Sequence, residues 1–238
     1  MKKMKVEIWS DVMCPFCYIG KRNFEAALEQ FADKDHIEVE WKSYQLDPTL
    51  AETAQESQED YLVRAKGMGV NEVRGMLQNV TEMARQAGLT YHLDKAVMVN
   101  SYKAHQLIQF AKSKNLGAEM EERLFAAYFT EGKNVADTEV LTQLGVDIGL
   151  NKEELQAAFT DDTYKYKVAQ DIQEAQQIGV RGVPFFVFDR KSAVSGAQPP
   201  AAFLESLQRT FAEWRRSNPE IQLEVTQGQS CSTDGTCS

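Results

Sequence analysis

Apolar and polar residues alternate over Met4–Trp9, with Met4, Val6 and Ile8 on one face, which predicts a first strand. The period then changes. Phe24, Ala27, Leu28 and Phe31 recur at the spacing of one helix face, and Ile37–Trp41 returns to alternation. Strand, helix and strand within some forty residues predict a βαβ unit. From Pro48 to Gly179 the pattern is helical only. Val73, Met76, Leu77, Val80, Met83, Ala84 and Ala87 form one stripe that Gly88 ends. Ala104, Leu107, Ile108 and Ala111 form another, as do Met120, Leu124, Ala127 and Tyr128. Asp137 is placed to cap a helix with Leu141, Leu144 and Ile148, and Asn151 with Glu154 reads as a capping box. Tyr164, Val168, Ile172 and Ala175 complete the group, while polar 51–60 reads as a mobile connection. Strand character resumes at Phe185–Phe188 and, past a tight turn, at Ser192–Ser195. Pro199 and Pro200 open a last helix with Phe203, Leu207, Phe211 and Trp214, which Asn218–Pro219 ends. Ile221–Val225 alternates weakly, and 227–238 is small and polar and reads as a flexible tail.

The predicted order is βαβ, a helical block, then ββα. A sheet assembled from the two ends holds the block as an insertion. The expected class is α/β, a thioredoxin-like fold with an inserted all-helical domain. Its expected parts are residues 1–47 and 180–226 for the thioredoxin-like domain, 48–179 for the insertion and 227–238 for a cysteine-containing tail.

Cys14-Pro15-Phe16-Cys17 lies between the first strand and the first helix. Pro15 suits the first helical turn, where its missing N–H needs no partner, so Cys14 falls at the N-cap. Its sulfur then meets unpaired backbone N–H groups and the positive end of the helix dipole, which stabilise a thiolate over a thiol. Cys17 is one turn further, close enough for a disulfide once the loop bends into the helix. Cys14 is expected to be the exposed attacking sulfur and Cys17 the shielded, resolving one. Half a zinc site, an inert disulfide and plain core thiols are the alternatives. The first lacks neighbouring ligands and the second does not suit a reducing compartment. A second signal is Gly179-Val180-Arg181-Gly182-Val183-Pro184 directly before a strand. Pro184 is either a trans proline that merely starts the strand or a cis proline that leaves the Val183 backbone free for an extended substrate.

Residues 10–22, 180–188 and 195–199 together resemble the DsbA-like family and, within it, the cytoplasmic FrnE branch, over nearly the whole chain. The resemblance implies thiol–disulfide oxidoreductase activity on protein or small-molecule disulfides and dithiols, with a cis Val183–Pro184 bond beside the cysteines. The wider family includes 2-hydroxychromene-2-carboxylate isomerases and kappa-class glutathione transferases, which typically carry serine at the Cys14 position and lack the second cysteine. A glutathione-dependent isomerase or transferase is therefore the rival enzyme, and a redox-switched chaperone using the helical block is a third class. No bound cofactor and no metal are expected, with glutathione a candidate co-substrate. The stretch Asn100–His105 is similar to a helix start facing the active site in this family. His105 is expected to be a partly buried structural histidine, with a proton-transfer role as the alternative; His36 and His92 read as surface residues. A cysteine pair near the C-terminus also occurs in the FrnE branch, and Cys231 and Cys237 are its counterpart here. They are a candidate secondary redox pair; a metal site and an incidental pair are the alternatives.

Composition narrows the partners. Of 238 residues, 43% are apolar and 26% charged, so the chain can bury a full core without disulfide staples. The net charge of −9 disfavours nucleic acid and anionic membranes. Met1-Lys2-Lys3 is not followed by an apolar run of signal-peptide length or by a cleavage site, so the cytoplasm is the expected compartment. The chain is expected to be a monomer or a homodimer.

Overall fold

Met4, Val6 and Ile8 are wholly buried, as the alternation of strand β1 (Met4–Ser10) requires. Glu7 and Trp9 on the opposite face are buried too, because helices cover that face as well. The computed structural model describes residues 2–53 and 56–219. β1 lies inside a four-stranded sheet of order β2-β1-β3-β4. It pairs in parallel with β2 (Ile37–Ser43), from Met4 opposite Ile37 to Ser10 opposite Ser43. On its other side it pairs antiparallel with β3 (Phe185–Phe188), which turns through Asp189–Lys191 into β4 (Ser192–Ser195).

The parallel pair needs a crossover, which α1 (Pro15–Gln30) supplies. Its Phe24 meets Phe186, Phe188 and Phe203, the last on α9 (Pro200–Ser217), with ring centroids 5.6, 6.3 and 5.8 Å away. Helices α1 and α9 thus seal one face of the sheet through an aromatic core.

Between β2 and β3 the chain forms α2 (Gln58–Lys66), α3 (Val70–Gln86), α4 (Tyr102–Ser113), α5 (Gly117–Phe125), a π-helical turn at Ala126–Thr130, α6 (Thr138–Asp147), α7 (Lys152–Ala158) and α8 (Asp162–Gln177). The helical insertion is thus present, on a thioredoxin-like sheet. Asp137 caps α6 by accepting from the Glu139 and Val140 amides, and Asn151 caps α7 by accepting from the Glu154 amide at 2.9 Å. Gly88 ends the α3 stripe with a left-handed φ of 76°. The stripe from Met120 to Tyr128 crosses from α5 into the π turn. One expectation needs correction: the polar stretch 51–60 is not wholly a connection. Ser57 accepts the Asp60 amide at 3.1 Å and starts α2 at Gln58, a capping signal hidden by the weak apolar content of that helix.

The second core joins the two parts of the molecule. Val12, Met13, Cys14, Cys17, Tyr18 and Ile19 pack into one cluster with Leu107, Leu124, Phe125 and Phe129 of the insertion.

Candidate active site

The loop after β1 folds back at Asp11, whose carbonyl accepts the Cys14 amide at 2.9 Å. Cys14 is the N-cap of α1, with extended backbone (φ −87°, ψ 112°) and Pro15 in the first turn. The Cys17 amide donates to the Cys14 carbonyl at 3.0 Å, so the two cysteines are one turn apart, both as free thiols.

Cys14 Sγ donates to the Val183 carbonyl at 3.5 Å. That residue precedes Pro184 across a cis peptide bond and lies just before the β3 ladder, which begins at Phe185. Gly20 brings α1 close to this loop, since a Cβ there would lie 3.0 Å from Pro184 Cγ. The Pro184 carbonyl in turn accepts the Gly196 amide at 2.8 Å.

Cys14 is 3% exposed, which corrects the expectation of an exposed attacking sulfur. The Val183 carbonyl covers the sulfur, and the Tyr91 hydroxyl closes the loop beside it by donating to the Pro15 carbonyl at 2.7 Å. Phe16, between the cysteines, is the exposed apolar residue at this surface. Cys17 is 0% exposed. Burial pushes its thiol well up, and neighbouring Cys14 adds to this, while the Asp11 backbone and the Ser10 hydroxyl pull it partly back.

Three groups of residues surround the cysteines; of the third the sequence singles out His105, while Tyr91, Glu121 and Glu122 escape it. An aromatic wall stacks Tyr18 on Phe125 (centroids 4.8 Å apart) and Tyr91 on Phe129 (4.7 Å). Burial, with the two cysteines nearby, raises the Tyr91 hydroxyl far above the ordinary phenol range, so it stays a donor. Next, Glu122 of α5 accepts from Tyr18 Oη at 2.6 Å, from Lys21 Nζ at 2.6 Å and from the Arg22 guanidinium. Burial opposes its ionisation, but these donors more than reverse that and hold the carboxyl at about 2.

Beneath Cys17, Ser10, Asp11, His105 and Glu121 form a buried polar cluster. Ser10 Oγ donates to Glu121 Oε1 at 2.7 Å, and Asp11 Oδ2 accepts the Leu46 amide at 2.7 Å. His105 Nε2 lies 3.4 Å from Asp11 Oδ1, near enough for charge pairing but off the line of a hydrogen bond. His105 is 1% exposed, so it is fully buried rather than partly so, held under α1 by the packing of α4. His36 and His92 are half-buried and away from the cysteines: His36 packs near Phe211, and His92 Nδ1 contacts the Thr130 carbonyl. Cys231 and Cys237 lie outside the described residues. Among the described residues no group of three or more His, Cys, Asp or Glu side chains is arranged to hold a metal ion.

The model of the DSBA-like thioredoxin domain matches residues 5–208. The chain belongs to this family. A curated relative, the uncharacterized protein YwbO of Bacillus subtilis (strain 168), is 28% identical over 188 residues, 76% of this chain and 85% of its own. A probable DsbA oxidoreductase from Streptomyces coelicolor is 33% identical, with a TM-score of 0.84 over 99% of this chain and 98% of the other. The cytosolic disulfide reductase DsbM from Pseudomonas aeruginosa, solved with glutathione, shares the fold at 18% identity and a TM-score of 0.62, over 87% of this chain and 99% of its own. Family membership assigns the chain an oxidoreductase role. Among the described residues no helix is long and apolar enough to cross a membrane.

Proposed function

We propose that this chain is a cytoplasmic thiol–disulfide oxidoreductase of the FrnE branch, acting on protein disulfides through Cys14 and Cys17, with glutathione as a co-substrate. The observation that carries it is the arrangement of Cys14 at the α1 N-cap, with its sulfur against the Val183 carbonyl and Cys17 wholly buried one turn behind. In the reducing direction, Cys14 thiolate attacks a substrate disulfide, and one substrate sulfur leaves as thiolate while a mixed disulfide forms. Cys17, deprotonated, attacks Cys14 Sγ. The Cys14–Cys17 disulfide forms, and the second substrate sulfur leaves and takes a proton from water. Two electrons pass from the cysteine pair to the substrate; the reverse sequence oxidises a dithiol, and attack followed by release to another sulfur isomerises. Val183 and Pro184 form the edge where an extended substrate docks, displacing the carbonyl contact on Cys14. The thioredoxin-like domain is taken as residues 1–47 and 180–226 and the insertion as 48–179. Cys231 and Cys237 serve as a secondary redox pair, a reading that rests on sequence alone.

The paired cysteines favour this reading over a glutathione-dependent isomerase, which has no step for a resolving thiol. Reduction of insulin disulfides with glutathione as electron donor tests it. The expected result is multiple turnover by the native chain and a loss of more than about 10²-fold in Cys14→Ser. Unchanged turnover in that variant contradicts the proposal.

A further inference from the structure

At the start of α1 the backbone donors are few. Pro15 has no N–H, and the Cys17 amide is taken by the Cys14 carbonyl at 3.0 Å. The Phe16 amide makes no hydrogen bond among the described residues. It stands at the second position of the helix, from which an N-cap side chain takes its bond. In the thiol form Cys14 makes no such bond, and its Sγ donates to the Val183 carbonyl instead. A thiolate has no proton for that carbonyl and needs a donor, and the Phe16 N–H is free at the cap.

The same peptide unit is gripped at its other end. Its carbonyl, that of Pro15, accepts the Tyr91 hydroxyl at 2.7 Å. Tyr91 belongs to the insertion, 76 residues away in sequence. Its ring is 5% exposed and stacks on Phe129, with centroids 4.7 Å apart, and on Tyr18 of α1, at 6.1 Å. Resting on the reading of Cys14 and Cys17 as the redox pair, we propose that Tyr91 is a positioning residue for the attacking sulfur: its hydroxyl fixes and polarises the Pro15–Phe16 peptide, whose N–H receives the Cys14 thiolate.

A peptide group is a resonant unit, so a donor on its oxygen makes its N–H a stronger donor. Hydrogen bonds in series strengthen one another by roughly 10–30% each. Burial, with the two cysteines nearby, keeps the Tyr91 hydroxyl protonated, so the bond to Pro15 runs in one direction. Tyr91 therefore acts through the peptide and not on the sulfur. The effect is specific to one redox state. In the reduced pair the Phe16 N–H meets a charged sulfur. In the Cys14–Cys17 disulfide the sulfur carries no charge, and the donor gains little. Tyr91 thus favours the reduced pair, and the helical insertion takes part in setting the redox balance.

The test is the equilibrium of the full chain with glutathione at neutral pH. Cys14 and Cys17 lose two electrons and form their disulfide, one glutathione disulfide takes the electrons and becomes two thiols, and protons balance through the solvent. Tyr91→Phe removes the hydroxyl and keeps the ring and its stacking, and circular dichroism checks that the fold is retained. In this variant the equilibrium constant for forming the Cys14–Cys17 disulfide is expected to rise about threefold, because the reduced pair loses part of its stabilisation. Urea unfolding of both redox forms gives a second reading: the variant loses more stability when reduced than when oxidised. A packing role lowers both forms equally and leaves the constant unmoved. An unchanged or lowered constant in Tyr91→Phe overturns the proposal and leaves the redox pair standing. A native chain that forms no Cys14–Cys17 disulfide with glutathione disulfide overturns the functional reading itself.

Discussion

Cys14 and Cys17 are the same functional group three residues apart, and their surroundings separate them. Cys14 sits at a helix N-terminus, buried at 3% exposure with its sulfur against the Val183 carbonyl. Cys17 is enclosed, and burial with the neighbouring sulfur holds its thiol well above the ordinary range. Alkylation of the reduced protein at mildly acidic pH is therefore expected to modify Cys14 first, with Cys17 slower by more than about tenfold. Peptide mapping after timed quenching reads this, and equal rates would contradict the N-terminal assignment. At this scale the pair and Pro184 were legible, because each announces itself within a few consecutive residues. Glu121, Tyr91 and Glu122 were not. They meet Ser10, Pro15 and Tyr18 from 76 to 111 positions away, a distance at which a lone sequence carries no signal of contact.

Among the elements, side chains of α1 and α5 join the cysteine helix to the insertion. Glu122 joins them through Tyr18, Lys21 and Arg22, with its side chain 34% exposed. Its carboxyl lies at about 2 in the fold against 4.5 for an ordinary glutamate. A depressed carboxylate stabilises the fold fully above the ordinary value. That stability is lost as pH falls from about 4.5 through about 2. Discounted for solvent screening, the contribution is about 1–2 kcal/mol. Glu122→Gln is expected to lose that amount at neutral pH in urea unfolding and to match the native chain near pH 2. An equal loss at both pH values would assign the residue a packing role instead. Helix starts at Asp137 and Asn151 were readable because a cap and its helix are local. The start of α2 was missed because its apolar face is thin and only Gln58 of that helix is buried.

At the scale of the whole molecule, the insertion and the sheet meet at Asp171 of α8. Its carboxylate accepts the Ser43 amide at 2.9 Å and Gln109 Nε2 at 2.6 Å, and lies 3.2 Å from Lys42 Nζ; its carbonyl accepts Trp9 Nε1 at 2.9 Å. With the shared core under α1, this junction makes the insertion part of the site's foundation. The order of strands and helices was readable from changes of period, which follow chain order. How the insertion docks was not, because a buried carboxylate between β2, α4 and α8 looks like any surface acid in sequence. The central claim concerns the whole chain at work: Cys14 captures the substrate and Cys17 releases it. Its most direct test is incubation of full-length Cys17→Ser with glutathione disulfide, followed by mass spectrometry of the intact protein and its peptides. The account predicts a stable glutathionyl adduct on Cys14, removed by added dithiol, and none on Cys17 when Cys14→Ser is treated in the same way. An adduct forming on Cys17 of Cys14→Ser as fast as on Cys14 of Cys17→Ser would contradict it.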